Sequence, residues 1–325
     1  MADLLPGEPV AAIDIGTNSV KLLVRSGDDR AMETAIVRLG QGVEATGRLH
    51  PDAVARTLDA LGGFRRSLDE RGVQRLAVVA TSAVRDASDD ESGRRFLEAA
   101  ERILGVTPVV LSGPAEGRLA FTGAVSGLPG PMQGTHLVID IGGGSTEFVV
   151  GQFSGGSGAS LLGAVSIDVG CVRLTESELA HDPPRPEELT NAIGRVQDHL
   201  DDVLRDLPAV ADADSIIGIG GTITTAAAVE LGTWDRSPLH GFHLTRDAAE
   251  DVFRTLATES LADRVHNPGL VAERAPVIVG GLCVLVAVLR RLKAPGLVVS
   301  THSVVDGICT HLASGGDPRL TGLDQ

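Results

Sequence analysis

Positive charge is what this sequence lacks most. It has 28 Lys+Arg against 43 Asp+Glu, a formal net charge of −15 at pH 7. No broad basic surface is left to gather nucleic acid or anionic lipid, so neither is expected as a partner. Any anionic ligand must be held locally, by a divalent cation, by backbone N–H groups and by a few placed arginines. Cysteine is equally scarce. Cys171, Cys283 and Cys309 are far apart, odd in number and without a C-x-x-C pair, which argues against a disulfide framework or a zinc site and fits a reducing cytoplasm. Long apolar runs are missing as well. The longest, Ala275 to Leu289, is interrupted by Pro276 and by Gly280 and Gly281 and stops at Arg290 and Arg291. It falls short of the ~20 residues a bilayer span requires and reads as a buried helix. The opening MADLLPGEPV has no basic n-region and no long apolar stretch, so no secretory signal is expected.

What the sequence does have is core and repetition. With 325 residues, 43% of them hydrophobic, the chain is long enough for two domains at roughly 100–200 residues each. Ile13-Asp14-Ile15-Gly16-Thr17-Asn18-Ser19 and Ile139-Asp140-Ile141-Gly142-Gly143-Gly144-Ser145 coincide at Ile, Asp, Ile, Gly and Ser. Each is followed by an apolar strand (Leu22 to Val24; Phe148 to Val150) and a Gly-containing turn (Ser26 to Asp29; Ser154 to Gly158). A third strand then ends at Gly40 or Gly170.

Behind the first copy, Val54, Leu58, Leu61, Phe64 and Leu68 recur at helical spacing after Pro51, predicting an amphipathic helix. A strand over Leu76–Ala80, a helix over Ser92–Leu104 and a strand over Val106–Leu111 follow. Behind the second copy, Leu189, Ile193, Val196, Leu200, Val203 and Leu207 predict a helix ended by Pro208, and Ile216–Ile219 the next strand. Such alternation implies mixed α/β sheets with crossovers. The expectation is two duplicated domains, residues 1–128 and 129–302, with a C-terminal helix over about 303–320 packing back on the first.

An Asp at the mouth of an apolar strand is costly to bury unless it meets a cation or donors. Asp14 and Asp140, one in each copy and expected to face a common cleft, therefore suggest a shared Mg²⁺, with Mn²⁺ as a substitute. The turns Gly16-Thr17-Asn18-Ser19 and Gly142-Gly143-Gly144-Ser145 put consecutive N–H groups beside small side chains. A backbone of that kind can cradle phosphate oxygens, although a plain hairpin also favours glycine. Gly220-Gly221-Thr222, after the Ile216–Ile219 strand, opens a Thr- and Ala-rich helix whose N-terminus suits an anion; tight helix-on-strand packing explains the glycines equally well.

The duplication together with Ile219-Gly220-Gly221-Thr222 resembles the actin, sugar kinase and Hsp70 superfamily. Within it one family fits best. The first Asp-x-Gly loop, Ala80-Thr81-Ser82-Ala83-Val84-Arg85-Asp86-Ala87, Ser112-Gly113-Pro114-Ala115-Glu116-Gly117-Arg118-Leu119, Ile139 to Glu147, and Gly170-Cys171-Val172-Arg173-Leu174-Thr175-Glu176 are similar to the Ppx/GppA phosphatases in order and spacing. Arg264, Pro268-Gly269-Leu270 and Arg274-Ala275 continue the likeness. It departs at Val305-Asp306-Gly307, where many members carry Arg-Glu-Gly, and at Ala115, where a second acid is common.

The resemblance implies two ribonuclease H-like (actin-like ATPase) domains, mixed five-stranded sheets with helices on both faces, and an active site in the interdomain cleft. It implies Glu116 as general base, Asp140 and Glu147 as catalytic acids near Mg²⁺, and Asp14, Asp140 and Glu147 as metal ligands. Gly16, Thr17, Asn18, Ser19, Lys21, Arg85, Gly142, Gly143, Gly144, Ser145, Gly220, Gly221 and Thr222 would hold phosphate or substrate. The expected reaction is in-line attack of water on the terminal phosphate of inorganic polyphosphate, with guanosine pentaphosphate as the alternative substrate. A kinase of the same superfamily and a non-catalytic guanosine polyphosphate or polyphosphate sensor are the rivals. Some members continue into a C-terminal helical domain that is not expected here, and short chains are therefore the expected polyphosphate substrate. Homodimerisation is expected through the apolar helix Val277–Leu289.

Overall fold

The computed structural model describes residues 8–27, 29–128, 133–153 and 159–321. The expected turn over 154–158, and Asp28 of its counterpart, lie outside them. In chain order the elements are β1 (Val10–Ile15), β2 (Ser19–Ser26), β3 (Asp29–Ile36), α1 (Val43–Thr46), α2 (Pro51–Glu70), β4 (Arg75–Ala80), α3 (Ser82–Asp86), α4 (Glu91–Leu104), β5 (Val109–Val110) and α5 (Gly113–Val125). There follow β6 (Gly134–Ile141), β7 (Thr146–Phe153), β8 (Ala159–Ile167), α6 (Cys171–Glu178), α7 (Pro186–Asp206), β9 (Ser215–Ile219), α8 (Gly220–Leu231), α9 (Arg236–Leu239), β10 (His243–Thr245), α10 (Arg246–Thr258), α11 (Leu261–Arg264), α12 (Ile278–Arg291), β11 (Gly296–Val299) and α13 (Val304–Ala313). Two compact units result, Met1–Gly123 with Val304–Gln325, and Ala124–Ser303. The first passage between them falls inside α5, which runs unbroken past Gly123, and not at residue 128.

The first unit holds a five-stranded sheet in the order β3-β2-β1-β4-β5. β1 pairs antiparallel with β2 and parallel with β4, so the repeat's hairpin and the crossover through α2 share one central strand. Pro51 at the first helical position and the His50 ring, whose Nδ1 accepts from the Asp52 N–H at 3.2 Å, start α2. Its Leu61, Phe64 and Leu68 are buried in one cluster with Ile13, Leu22, Val78 and Phe96. The expected strand over Val106–Leu111 shrinks to the two residues of β5, which pair with Val79 and Ala80 alone.

α13 packs on β1, β2 and β4. It ends at Ala313, short of the expected residue 320, as the chain turns through Gly315 at φ 86°. Its Asp306 lies in the segment that departs from the Arg-Glu-Gly pattern. The carboxylate is buried and accepts two bonds from the Arg30 guanidinium of β3, from Nε at 2.8 Å and Nη2 at 3.1 Å. Beside it, any Cβ on Gly307 would overlap the Leu119 carbonyl of α5. The segment fastens α13 to the sheet.

The second unit's sheet runs β10-β11-β9-β6-β7-β8. It has a sixth strand beyond the five expected, because β10 adds antiparallel to the edge strand β11. α12 is buried from Ile278 to Leu289 and packs against α6, α7, α8 and α10. Cores of this kind need small residues where helices touch. A Cβ on Gly280 would overlap Thr175, and one on Gly281 would overlap Thr222. The helix expected to mediate dimerisation is therefore consumed by its own unit and offers no free apolar face.

Two consequences for stability follow. Removing one partner of a largely buried ion pair strands the other, so Asp306→Ala should lower the unfolding free energy by about 3 kcal/mol, with Arg30→Ala/Asp306→Ala costing less than the sum of the single changes in a urea double-mutant cycle. His136 on β6 is also buried, with Nδ1 2.7 Å from Ser215 Oγ and Nε2 without a hydrogen-bond partner among the described residues. Burial pushes its pKa below the ordinary 6.5, against smaller opposing effects from the Gln133 backbone and Asp214. Above that value neither the folded nor the unfolded chain protonates this ring; below it the unfolded chain takes up a proton first. Stability should fall as pH drops from about 6.5 towards the lowered folded pKa, and urea midpoints measured between pH 7 and 5 should shift less in His136→Gln than in the parent.

Candidate functional site

The two copies of the repeat build their loops by one device, in the two units separately. In the first unit Asp14 lies buried near the end of β1, directly opposite Lys21 in the β1–β2 register. The hairpin turn closes with the Gly16 N–H on the Ser19 carbonyl at 3.1 Å. The strand after it stops at Ile36 and not at Gly40, because residues 37–40 leave the sheet to serve the turn. The Val37 and Arg38 N–H groups both bond the Asn18 carbonyl at 3.0 Å, and the Gly40 N–H bonds the Thr17 carbonyl at 2.8 Å. Arg38 takes a φ of 52° to do so.

A trans peptide sets its C=O and the next N–H on opposite sides. With the carbonyls of Thr17 and Asn18 drawn towards residues 37–40, the N–H groups of Asn18 and Ser19 face the other way. Thr17 Oγ1 accepts from the Ala83 N–H of α3 at 3.2 Å, which ties the turn to the Arg85 segment. Asn18 Oδ1 and Ser82 Oγ are buried with no hydrogen-bond partner among the described residues. Buried polar atoms without protein partners are uncommon, and a water, an ion or a ligand can complete such a set.

Glu116 occupies the first turn of α5, buried, with its N–H on the Ser112 carbonyl at 2.9 Å. Arg85, from α3, donates through Nη1 to the Leu111 carbonyl at 2.8 Å and to Glu116 Oε2 at 3.3 Å. The expected phosphate-binding arginine and the expected base are thus partners, and the guanidinium fixes where the carboxylate points.

In the second unit the same hairpin closes with the Gly142 N–H on the Ser145 carbonyl at 3.0 Å. Again the third strand stops early, at Ile167 and not Gly170, and the chain turns back onto the loop. The Cys171 N–H bonds the Gly142 carbonyl at 2.9 Å; the Val172 and Arg173 N–H groups bond the Gly143 carbonyl at 2.8 and 3.2 Å; Arg173 Nε bonds the Gly144 carbonyl at 2.9 Å. The Thr146 hydroxyl donates to the Val169 carbonyl at 2.6 Å and pins the returning chain. By the same peptide geometry, the N–H groups of Gly143, Gly144 and Ser145 face away from α6. This contact demands glycine at 170, where a Cβ would stand 2.5 Å from the Gly143 carbonyl carbon.

Asp140 and Glu147 are opposite one another in the β6–β7 register, both buried, with Ser166 of β8 donating to Glu147 Oε1 at 2.9 Å. Glu147 sits on a central strand, not at a sheet edge. Gly220, at φ 88°, is required because a side chain there would overlap Asp140 Oδ1. Gly221 is covered by the Arg274 guanidinium, which a Cβ there would have to displace. Arg274 is half-buried, and loss of solvation lowers its pKa while the neighbouring Cys171 opposes that shift. Arg274, which the sequence offered only within a family resemblance, comes from the segment before α12 and lays its guanidinium over the first turn of α8. Thr222, by contrast, is turned into the packing, against α12 and the Cys171 thiol, whose pKa burial raises to about 11. Among the described residues no cluster of three or more His, Cys, Asp or Glu side chains is arranged around a metal position.

The glycine contacts are testable apart from any activity. Gly170→Ala should destabilise the protein by about 1–3 kcal/mol through overpacking. Gly194→Ala, in α7 where a Cβ meets nothing, should stabilise it by up to ~1 kcal/mol in the same urea titration.

Residues 27–314 match the model of the Ppx/GppA phosphatase family. Exopolyphosphatase 2 of Mycobacterium tuberculosis is 36% identical over 94% of this chain and 98% of its own. The guanosine-5'-triphosphate,3'-diphosphate pyrophosphatase of Aeromonas salmonicida is 28% identical over 92% of this chain, which spans 58% of that relative's length. Among solved structures, an exopolyphosphatase-like protein superposes with a TM-score of 0.85 at 34% identity, covering 94% of this chain and 99% of its own. The Aquifex aeolicus family member superposes with a TM-score of 0.75 at 30% identity over 96% of this chain and 100% of its own. The chain belongs to the Ppx/GppA phosphatase family.

Proposed function

We propose that this chain is an exopolyphosphatase, releasing orthophosphate from the end of inorganic polyphosphate. The observation that carries the reading is the pair of loops whose carbonyls are tied back, leaving peptide N–H groups of Asn18 and Ser19, and of Gly143, Gly144 and Ser145, directed away from the protein groups that hold them. Such N–H arrays suit the non-bridging oxygens of phosphoryl groups, in the manner of backbone anion nests. The M. tuberculosis relative bearing that activity in its name, matched along nearly its whole length, supports the same substrate class. Guanosine pentaphosphate is the second reading, supported by the pyrophosphatases that match over 92% of this chain.

Phosphoryl transfer asks a protein mainly for position and charge. Glu116, held by Arg85, would take the proton of the attacking water as it adds to the terminal phosphorus and the phosphoanhydride oxygen departs. Lys21, Arg274 and the α8 N-terminus would supply positive potential to the chain of phosphates. A divalent cation fits the donors present: Asp140 and Glu147 are hard oxygen ligands side by side on β6 and β7, and Mg²⁺ commonly takes one or two carboxylates with substrate phosphate and water completing its shell. Asp14 is the equivalent position of the first copy. Bound there, Mg²⁺ would neutralise charge developing on the transferred phosphoryl group. A cytoplasmic location belongs to this reading, in keeping with three buried free cysteines and with no helix among the described residues long and apolar enough to cross a membrane.

The test is phosphate release with Mg²⁺ from short polyphosphate, long polyphosphate, guanosine pentaphosphate and ATP, each compared with Glu116→Gln. Polyphosphate should be the best substrate by kcat/KM, and Glu116→Gln should lower kcat by roughly 10²–10⁴. Equal release by parent and variant, or turnover of ATP only when an acceptor is added, would refute the hydrolase reading.

A further inference from the structure

The second phosphate loop carries three consecutive glycines, the residues that lose most conformational freedom on ordering. In the first loop the carbonyl of Asn18 is held by two backbone amides, those of Val37 and Arg38. At the equivalent position of the second loop, Gly144, the pattern changes. The backbone amides of Cys171, Val172 and Arg173 are used on Gly142 and Gly143, and the Gly144 carbonyl is held by a side chain, Arg173 Nε, at 2.9 Å.

We infer that Arg173 is a positioning residue: by holding the Gly144 carbonyl it sets the direction of the Ser145 N–H, and so completes the phosphate-binding face of the second loop. This inference rests on the phosphoanhydride hydrolase reading. The same peptide plane carries the Gly144 C=O and the Ser145 N–H, so the two cannot be oriented independently. Released from Nε, a Gly-Ser peptide can rotate at small steric cost, because Gly144 has no Cβ to oppose it. Rotation would replace a donor by an acceptor on the surface that meets phosphate, which turns attraction into repulsion at that point. The amide of Gly144 is safeguarded by two backbone bonds on Gly143; that of Ser145 depends on Arg173.

Side-chain chemistry separates this role from direct charge contact with substrate. Arg Nε and Gln Nε2 stand at the same place in the chain, both bonded to Cδ. Arg173→Gln therefore keeps a donor at the Nε position and discards the charge. Arg173→Met keeps similar length and bulk without a donor. The experiment measures kcat and KM for tripolyphosphate with Mg²⁺ in the parent, Arg173→Gln and Arg173→Met, and the Kd of each for tripolyphosphate by calorimetry in the Glu116→Gln background.

Arg173→Met should lose about 10–100-fold in kcat/KM, a cost in keeping with small misplacements of positioning groups, and should bind tripolyphosphate more weakly by about tenfold or more. Arg173→Gln should stay within about threefold of the parent in both, and all three proteins should unfold at similar urea concentrations. Arg173→Gln as impaired as Arg173→Met would mean that the charge acts on substrate and would overturn the inference, as would Arg173→Met behaving like the parent. Absence of turnover in the parent with tripolyphosphate binding intact would refute hydrolysis alone, and the calorimetric comparison would still decide the role of Arg173.

Discussion

The backward pull on loop carbonyls is the constraint from which the candidate site follows. In each unit the third strand of the repeat ends early so that the chain can return beneath the hairpin turn, and its donors take the carbonyls of residues 17 and 18 or 142 to 144. A carbonyl facing a phosphate would repel it. Tying these groups back is what leaves the N–H groups as the half of each peptide that faces away from the returning chain. The glycines at 40 and 170 serve the same end, since a side chain at either would collide with the loop it supports.

The duplication is symmetric in backbone and asymmetric in charge. Register places Asp14 opposite Lys21 in one copy and Asp140 opposite Glu147 in the other. Cross-strand partners share a face of the sheet, so the first pair is mutually attractive and the second mutually repulsive. Two buried carboxylates on adjacent central strands need donors or a cation, and Ser166 supplies one donor to Glu147. Under the proposed function this asymmetry would favour the second unit for a divalent ion, and Lys21 of the first unit would face phosphate directly.

How much of this could be read from the chain depends on the range of the interaction. The hairpins, the Asp-x-Gly turns, the start of α2 at Pro51 and the first-turn placement of Glu116 are local, set by periodicity and turn chemistry within a few residues. The Arg30–Asp306 pair joins residues 276 positions apart, and no local pattern announces it. Thr222 looked like a ligand because it follows two glycines; packing against α12 turned it inward. The apolar stretch after Pro276 was legible as a buried helix but not as one covered on all sides, because that depends on α6, α7, α8 and α10 arriving around it. Arg173 stood inside a motif whose spacing was visible, yet its bond to Gly144 required the fold.

An acidic protein that holds a polyanion faces a kinetic and an energetic difficulty. A net charge of −15 gives no long-range attraction, and at physiological ionic strength fields from surface charges fade over about 8 Å. Affinity must then come from short-range donors whose geometry exists before the ligand arrives, since ordering glycine loops on binding would consume much of what the contacts yield. Both loops meet that requirement through bonds made entirely within their own unit, independent of ligand. Preorganised dipoles in place of bulk positive charge also leave the surface acidic, so that under the proposed function an anion would be selected by how well its oxygens match N–H groups already fixed in place.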